Sequence, residues 1–277
     1  MHLHVRHANR FTYDAPVTEA YSELRLRPLD RSGQRCLSFQ LRLDPHEAVS
    51  EAVDSFGNVV HHFDILASHE HLEVVAESEV LTAEASVERL AGLDPLDAWT
   101  FSQPTVYAPF AADLIALGRA NRREDGDVRA TAQALTHDVF ERLRYEKGAT
   151  TVRTTAAESL ALGAGVCQDF THVYLAAARS QGIAARYVSG YLYSPGDAWG
   201  GGGDDEAVAS HAWVDVFVPG EGWLSLDPTH DAPQDARYIR LAVGRDYADV
   251  PPTRGVFKGR ASETLSVEVR LTRAGPA

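Results

Sequence analysis

Apolar and polar side chains alternate in short runs over residues 1 to about 82, as they do in half-buried β-strands. The runs YSELRLRP, LSFQLRLDP and HLEVVAESEVLT show this alternation. A turn at Gly57–Asn58 interrupts DSFGNVVHHFDIL and leads into another strand. The pattern therefore predicts an antiparallel β domain of sandwich type, in which short strands are separated by turns.

A helical periodicity replaces this alternation in the middle of the chain. The segment APFAADLIALGRAN predicts one helix within residues 83–125, which otherwise mix Pro, Asp and Ala. In DVRATAQALTHDVFERLRYE, the residues Ala132, Leu135, Val139 and Leu143 fall on one face of a second helix. Residues 83–125 are therefore interpreted as a helical connection that leads into a core beginning near residue 126.

A third helix is predicted to begin at Cys167, or one turn before it, in the segment GAGVCQDFTH. From Phe170, apolar residues recur at the spacing of one helix face, and Gly182 stands where a C-terminal glycine belongs. The pattern beyond it predicts strands over IAARYVSGYLY, HAWVDVFV, WLSLDPT and TLSVEVRLT, the last of which closes a sheet. The segment PGDAWGGGGDDEAVAS is glycine-rich and acidic, which predicts a mobile loop before His211.

Composition and charge exclude several classes of function. The 277 residues are 44% apolar, which is ordinary for a globular chain with a sizeable core. A net charge of −13 disfavours binding to nucleic acid or to anionic membranes. The N-terminal residues lack the apolar core of a signal peptide, and no run reaches membrane-spanning length. With two widely separated cysteines and no sign of a disulfide scaffold, we expect a cytoplasmic protein.

Cys167 is the more conspicuous of the two cysteines, the other being Cys36. A thiolate is the reactive nucleophile, and the positive end of a helix dipole favours it. Glycines ahead of it would let a substrate approach the backbone, whose N–H groups could hold a developing oxyanion. Taken alone, the segment favours a buried cysteine that acts as a small hydrophobic residue.

The downstream residues change this interpretation. A cysteine nucleophile needs a histidine base, and that base needs an acidic or amide group to orient it. His211 begins the strand HAWVDVFV, and Asp227 ends the next strand just before Pro228. Either one alone has an ordinary explanation, since the chain holds twelve histidines and Asp-Pro commonly starts a turn. Together, the three residues predict a Cys167–His211–Asp227 triad.

The hairpin that carries His211 and Asp227 imposes a condition on this triad. If Val218 pairs with Trp223 around a four-residue turn, the side chains of His211 and Asp227 point to opposite faces of the sheet. A five-residue loop or a bulge would instead pair Asp227 with Trp213, diagonal to His211. The triad therefore predicts an irregularity in this hairpin.

Three blocks of the sequence resemble the bacterial transglutaminase-like superfamily, whose members are often described as cysteine proteases. They are GAGVCQDFTHVYLAAARSQGIAARYVSGYL, the His-Ala-Trp strand and GWLSLDPTHD. The segments PVTEAYSELRLRP, LDPHEAVSEAVDSFGN and HLEVVAESEV resemble the β domain that precedes the catalytic core in this family. The resemblance implies an α+β fold with an N-terminal antiparallel β-sandwich-like domain over 1–82. This domain would be followed by a helical connection over 83–125 and then by a papain-like, transglutaminase-like core with a C-terminal strand over 126–277.

The same resemblance implies thiol-dependent acyl transfer at an amide bond. Cys167 would be the nucleophile, His211 the general base and then acid, and Asp227 the group that orients His211. A thioester acyl-enzyme would pass its acyl group to water, giving hydrolysis of a peptide or protein substrate, which is the expected reaction. Passing it to an amine would give protein-glutamine transamidation, the first alternative. The chain contains no EF-hand loop, and we expect no cofactor and no metal.

Two rival interpretations use the same residues or the same fold. Cys167, His172, His211, Asp227 and His230 include ligand types that zinc accepts, although their spacing matches no short zinc motif. A non-catalytic binding module could also retain this fold. Metal content would identify the first rival, and the reactivity of Cys167 would identify the second.

Other residues near the motifs invite structural roles. Asp169 is expected to cap the start of the helix rather than to take part in chemistry. Tyr145 is a possible oxyanion donor, with a packed core position as the favoured alternative. Trp213 and Trp223 are expected in the core or cleft wall, and His172 in a structural or solvated position.

The glycine-rich loop over 196–206 precedes His211 and is expected to gate the cleft. Its acidic residues Asp204, Asp205 and Glu206 would favour basic or amine-bearing substrates over acidic ones.

Overall fold

The computed structural model describes residues 1–31, 33–84, 87–194 and 210–274. Strands occupy much of this part of the chain: β1 (His2–Leu24), β2 (Gln34–Asp44), β3 (Ser50–Val53), β4 (Val59–Ile65), β5 (His69–Thr82), β6 (Val87–Arg89), β7 (Arg144–Tyr145), β8 (Ala164–Gly165), β9 (Ala185–Leu192), β10 (Ser210–Val218), β11 (Gly222–Asp227), β12 (Ala232–Pro233), β13 (Tyr238–Gly244), β14 (Thr253–Lys258) and β15 (Glu263–Arg273). The helices are α1 (Pro95–Thr100), α2 (Ala112–Asn121), α3 (Val128–Arg142), α4 (Ala156–Leu162) and α5 (Cys167–Ser180). No helix in these ranges is long and apolar enough to cross a membrane.

The N-terminal sheet is organised around β1, a single strand of 23 residues. Its first half pairs with β5 and β15, and its second half pairs with β4 and β14. The pairing register shifts between Thr12 and Val17, where the strand passes from one half of the sandwich to the other. The prediction of short strands is therefore wrong for β1, because this irregularity redirects the strand without ending it. The predicted turn at Gly57 is confirmed by its φ of +80°.

The second sheet has the strand order β12-β11-β10-β9-β13, with β6 added beside β11. Helix α5 packs on this sheet and is surrounded by α2, α3 and α4, which together bury one large apolar cluster. The helices predicted in APFAADLIALGRAN and DVRATAQALTHDVFERLRYE and from Cys167 are confirmed as α2, α3 and α5. Gly118 allows α2 to touch α5, since a Cβ there would lie 2.3 Å from the Ala177 carbonyl oxygen.

The two C-terminal strands belong to the N-terminal sheet. Both β14 and β15 pair with β1, so the chain returns to its beginning after completing the second sheet. Val269 and Leu271 of β15 join Leu3 of β1 and Ile239 of β13 in an apolar cluster that links the two sheets. This placement differs from the predicted division, which assigned 126–277 to the core. The alternating pattern of β15 identifies a strand but contains no information on its partner.

A buried ion network fastens β6 to the second sheet. Asp215 on β10 is fully buried and accepts hydrogen bonds from Arg186, Arg240 and Ser225. Burial opposes ionisation of Asp215, but Arg240 and Arg186 outweigh it and lower its pKa to about 2. Arg186 also binds Glu88 of β6, with 2.7 Å between Nη2 and Oε2. The network therefore carries its charge at neutral pH and links five strands, β6, β9, β10, β11 and β13.

Replacing Asp215 with asparagine is expected to destabilise the fold by about 3–5 kcal/mol, because the buried Arg240 would lose its carboxylate and Arg186 would keep only Glu88. Urea denaturation at pH 7 measures the change. The matched control is Glu73→Gln in the exposed pair with Arg10 at 2.6 Å, where solvent screens the charges and little or no loss is expected. Equal losses in the two variants would contradict the prediction.

Candidate active site

The start of α5 is arranged by Asp169 and by the residues ahead of Cys167. The Asp169 Oδ2 atom accepts hydrogen bonds from the Val166 N–H, at 2.8 Å, and from the Thr150 hydroxyl, at 2.6 Å. A Cβ on Gly165 would lie 2.6 Å from the same carboxylate, so glycine makes room for it. The expected role of Asp169 at the helix start is confirmed. Gly165 thus has a structural reason to precede Cys167, besides any role in substrate approach.

The structure brings the three predicted triad residues together. Cys167 is the first residue of α5, His211 lies near the start of β10, and Asp227 is the last residue of β11. The His211 Nε2 atom lies 2.7 Å from Asp227 Oδ2, and the Cys167 side chain is close enough to His211 to raise its pKa. Because Nε2 faces the carboxylate, Nδ1 is the ring nitrogen left for the thiol. Cys167, His211 and Asp227 are therefore close together in the order that the sequence predicts.

Charge coupling dominates this group. Burial disfavours the imidazolium form of His211, but the Asp227 carboxylate and the Cys167 side chain outweigh it and raise the His211 pKa well above its ordinary value. Burial likewise disfavours the charged form of Asp227, yet His211 and His230 hold the Asp227 pKa far below its usual range. The pair therefore favours an imidazolium next to a carboxylate at neutral pH.

The hairpin register satisfies the condition that the triad imposes. Val218 pairs with Gly222 and Val214 with Leu226, and continuing this register places Asp227 opposite Trp213. The side chains of Asp227 and His211 thus share a face, as predicted. The predicted five-residue loop or bulge is wrong, however. Residues 219–221 form a three-residue loop, which gives the same pairing of Asp227 with Trp213. Gly222 has a φ of +117°, a conformation that favours glycine, and this lets it follow the loop directly.

Asp227 has more partners than the sequence indicated. Its Oδ2 atom also accepts hydrogen bonds from His230 Nδ1, at 2.6 Å, and from the Tyr238 hydroxyl, at 2.8 Å. Its Oδ1 atom accepts the Thr229 N–H at 2.8 Å. Sequence reasoning considered His230 only as a metal ligand and passed over Tyr238. The i, i+3 spacing of Asp227 and His230 across a turn was a usable local signal, whereas Tyr238 lies on β13 and has none.

Aromatic rings hold the His211 imidazole in place. Trp213 stacks on it with a centroid separation of 6.1 Å, and Tyr238 lies 6.0 Å away. Gly190 pairs with His211 on the neighbouring strand, and a Cβ there would lie 2.5 Å from the Trp213 ring. Trp213 and Trp223 are both buried, which confirms the core position expected of them.

For His172 and Tyr145, one part of the predicted position is wrong. His172 is fully buried rather than solvated: its Nε2 atom accepts the Tyr247 N–H at 3.2 Å, and burial lowers its pKa to about 3. A structural role for His172 is therefore confirmed. Tyr145 has 48% of its surface exposed, so the packed position is wrong. Burial of part of the ring raises the pKa of Tyr145, and Cys167 raises it further.

Metal-ligand types also meet at this site. Among the described residues, His211, Asp227 and His230 offer atoms that lie within 4.8 Å of one another, while Cys167 and His172 are outside that group. The separations of 2.6 and 2.7 Å between the carboxylate and the two imidazoles are hydrogen-bond distances. The three side chains are therefore arranged to share hydrogen bonds rather than to coordinate a zinc ion. The predicted gating loop and its Asp204, Asp205 and Glu206 lie outside the described residues.

Comparison with known sequences identifies two matching families. Residues 3–81 match the model of the bacterial transglutaminase-like N-terminal region, and residues 116–228 match that of the transglutaminase-like superfamily. An uncharacterized protein of Mycobacterium leprae is 34% identical, and the alignment covers 98% of each chain. A protein-glutamine gamma-glutamyltransferase of Pseudomonas aeruginosa is 28% identical over 51% of this chain and 21% of its own length.

Comparison with solved structures supports the fold. A crystal structure described as a "putative cysteine protease" from Cytophaga hutchinsonii matches with a TM-score of 0.78 and 21% identity. The match covers 100% of this chain and 92% of that one, so it extends over both sheets. The predicted α+β class, with a β-sandwich-like region followed by a transglutaminase-like core, is confirmed.

Proposed function

Since the chain belongs to the transglutaminase-like superfamily, we propose that it is an enzyme that transfers acyl groups from amide bonds through Cys167. Hydrolysis of a peptide or protein substrate is the reaction we favour. The observation that carries the proposal is the contact of Cys167, at the start of α5, with a buried His211–Asp227 pair.

The first half of the reaction forms a thioester. The Cys167 thiolate attacks the amide carbonyl carbon, a C–S bond forms, and the carbonyl electrons move to oxygen. Backbone N–H groups in the first turn of α5 would stabilise that oxyanion. The oxyanion electrons then re-form the carbonyl as the C–N bond breaks, and the His211 imidazolium gives its Nδ1 proton to the leaving nitrogen, which leaves a thioester on Cys167. Asp227 stays ionised throughout and holds the Nε2–H.

The second half releases the acyl group. Neutral His211 takes a proton from the acceptor, which attacks the thioester, and the C–S bond breaks to return the thiolate. Water as acceptor gives a carboxylic acid, whereas a primary amine gives a new amide. The name of the Pseudomonas aeruginosa relative favours the amine as the second candidate. A cytoplasmic location stays a prediction.

Activation of Cys167 by His211 can be tested without a substrate. In a Cys36→Ala background, His211→Ala is expected to slow alkylation of Cys167 by iodoacetamide at pH 7 at least about tenfold, because the imidazolium that stabilises the thiolate is lost. Mass spectrometry of the modified protein gives the rate. His71→Ala, at a histidine whose side chain is 64% exposed in the N-terminal sheet, is the matched control and should react as the parent does. Equal rates in all three proteins would favour the binding-module alternative.

The acceptor can be identified in a single assay. Incubation with a glutamine-containing peptide library, with and without a labelled alkylamine, should yield an acyl adduct on Cys167 and cleaved or deamidated peptides. If label accumulates in the peptides instead, transamidation is the principal activity. Absence of any adduct from a reactive thiol would argue against acyl transfer.

A further inference from the structure

The turn between β11 and β12 brings a second imidazole to the carboxylate that orients His211. We propose that His230 is a positioning residue that draws part of the negative charge of Asp227 away from His211, so that His211 can release its proton. The proposal rests on the acyl-transfer function proposed above, in which His211 must give a proton to the leaving nitrogen and later recover one.

The geometry of Asp227 is the first argument. One oxygen, Oδ2, accepts the side-chain hydrogen bonds from His211, His230 and Tyr238, at 2.7, 2.6 and 2.8 Å. The two imidazole centroids are 5.1 Å apart, and the rings are tilted by 54°. Asp227 is fully buried, so protein donors rather than bulk water surround this oxygen. His211 and His230 therefore compete for the same lone pairs.

The anchoring of the turn is the second argument. The backbone of Thr229 donates to Asp227 Oδ1, which ties the turn to the carboxylate itself. Asp231 adopts a φ of +49°, and its Oδ2 atom lies 2.8 Å from His137 Nδ1 on α3. Two contacts on either side of His230 thus hold this turn against the site. A side chain on so constrained a turn keeps a defined direction toward Asp227.

The electrostatic consequence follows from the sharing. A hydrogen bond to a carboxylate stabilises its charged form, so each further donor weakens its attraction for the proton on a neighbouring group. The titratable groups that face His211 come from three elements and the turn: Cys167 on α5, Asp227 on β11, Tyr238 on β13 and His230 in the turn, with Arg237 beside β13 coupled to Asp227. Of these, His230 and Tyr238 donate to the atom that binds His211. Removing His230 should therefore leave more charge on that atom and bind the His211 proton more tightly.

An NMR titration tests this inference independently of any substrate. In Cys167→Ala protein, the pKa of His211 is read from its imidazole ¹⁵N shifts, with His230 intact or replaced. His230→Leu should raise the His211 pKa by about one unit, because one donor to a buried charge is lost. His230→Asn keeps an N–H close to the position of Nδ1 and should restore the value to within about 0.3 units of the parent. An unchanged or lowered pKa in the leucine variant would overturn the proposal.

A second measurement covers the case in which leucine prevents folding. In protein that retains Cys167, His230→Ala and Tyr238→Phe each remove one donor to Asp227 Oδ2. In both variants, the alkaline limb of the pH–alkylation profile of Cys167 should move to higher pH, because His211 stays protonated up to a higher pH. A uniform loss of rate with an unmoved limb would assign His230 a purely structural role. Neither titration requires turnover, so a missing substrate would count against the enzyme function and not against this inference.

Discussion

Replacing Cys167 with serine is expected to lower kcat/KM for the amide substrate by about 10⁴-fold or more. The substitution keeps the shape of the side chain at the start of α5 and leaves His211 and Asp227 in contact. A serine hydroxyl, however, does not ionise next to an imidazolium as a thiol does, so the nucleophile is lost while the site survives. Steady-state kinetics and the mass of any acyl adduct measure the effect.

The control for this substitution is Cys36→Ser. Cys36 lies on β2 in the N-terminal sheet, away from the site, and its replacement should leave turnover within about twofold of the parent. Thermal unfolding should be similar for the parent and Cys167→Ser. Substantial turnover by Cys167→Ser would show that another residue attacks the substrate.

Replacing Asp227 with asparagine is expected to lower turnover by a comparable factor, about 10⁴-fold. The two carboxylate oxygens accept four hydrogen bonds, from His211, His230, Tyr238 and the Thr229 backbone, and the amide replaces one of these oxygens with an N–H₂ group and removes the negative charge. Donors then face donors, so His211 loses the partner that fixes its tautomer. The same change leaves buried polar groups unpaired, and we expect the free energy of unfolding to fall by about 3 kcal/mol. Kinetics and urea denaturation measure the two effects.

The pH dependence of the free energy of unfolding distinguishes a charged Asp227–His211 pair from a neutral hydrogen bond. The pKa of Asp227 is lowered in the folded state, so its stabilising contribution is present above its unfolded value of about 3.9 and is lost as the pH falls. The pKa of His211 is raised, so its contribution is full below about 6.5 and is lost as the pH rises through the folded value. Both slopes should flatten in Asp227→Asn. The control Asp235→Asn, in a partly exposed pair with Arg237, should retain both.

Much of the fold is readable from local patterns. The face formed by Phe170 and the apolar residues that follow it predicts α5, because burial of one side imposes the helical period on the sequence. The alternation in HAWVDVFV predicts β10 for the corresponding reason. The relative phase of His211 and Asp227 did not follow from counting along the hairpin: a four-residue turn would place them on opposite faces, and only the triad hypothesis required a shared face.

Other features depend on contacts between distant segments. The alternating sequence of β15 predicts a strand, but it does not predict that the partner is β1, more than 200 residues away along the chain. The sequence does not show that β1 is a single long strand. Pro16 suggests a turn, whereas in the structure it lies at a register shift within the strand. Tyr238 has no motif to mark it, since it reaches Asp227 only because β13 lies beside β9 in the sheet.

The sequence by itself determined the α+β class, the principal helices and strands, and the three residues Cys167, His211 and Asp227 as a candidate triad. The helices, strands and triad residues depend on periodicity, on turn chemistry and on residue types whose reactivity is intrinsic, and the α+β class depends on the resemblance of the motifs to a known family. Only the tertiary structure decided that one carboxylate oxygen serves His211, His230 and Tyr238 together, and that the chain ends on its first sheet. Those properties depend on which surfaces pack against each other, and the burial and pKa shifts of the site arise only after that packing has removed its water.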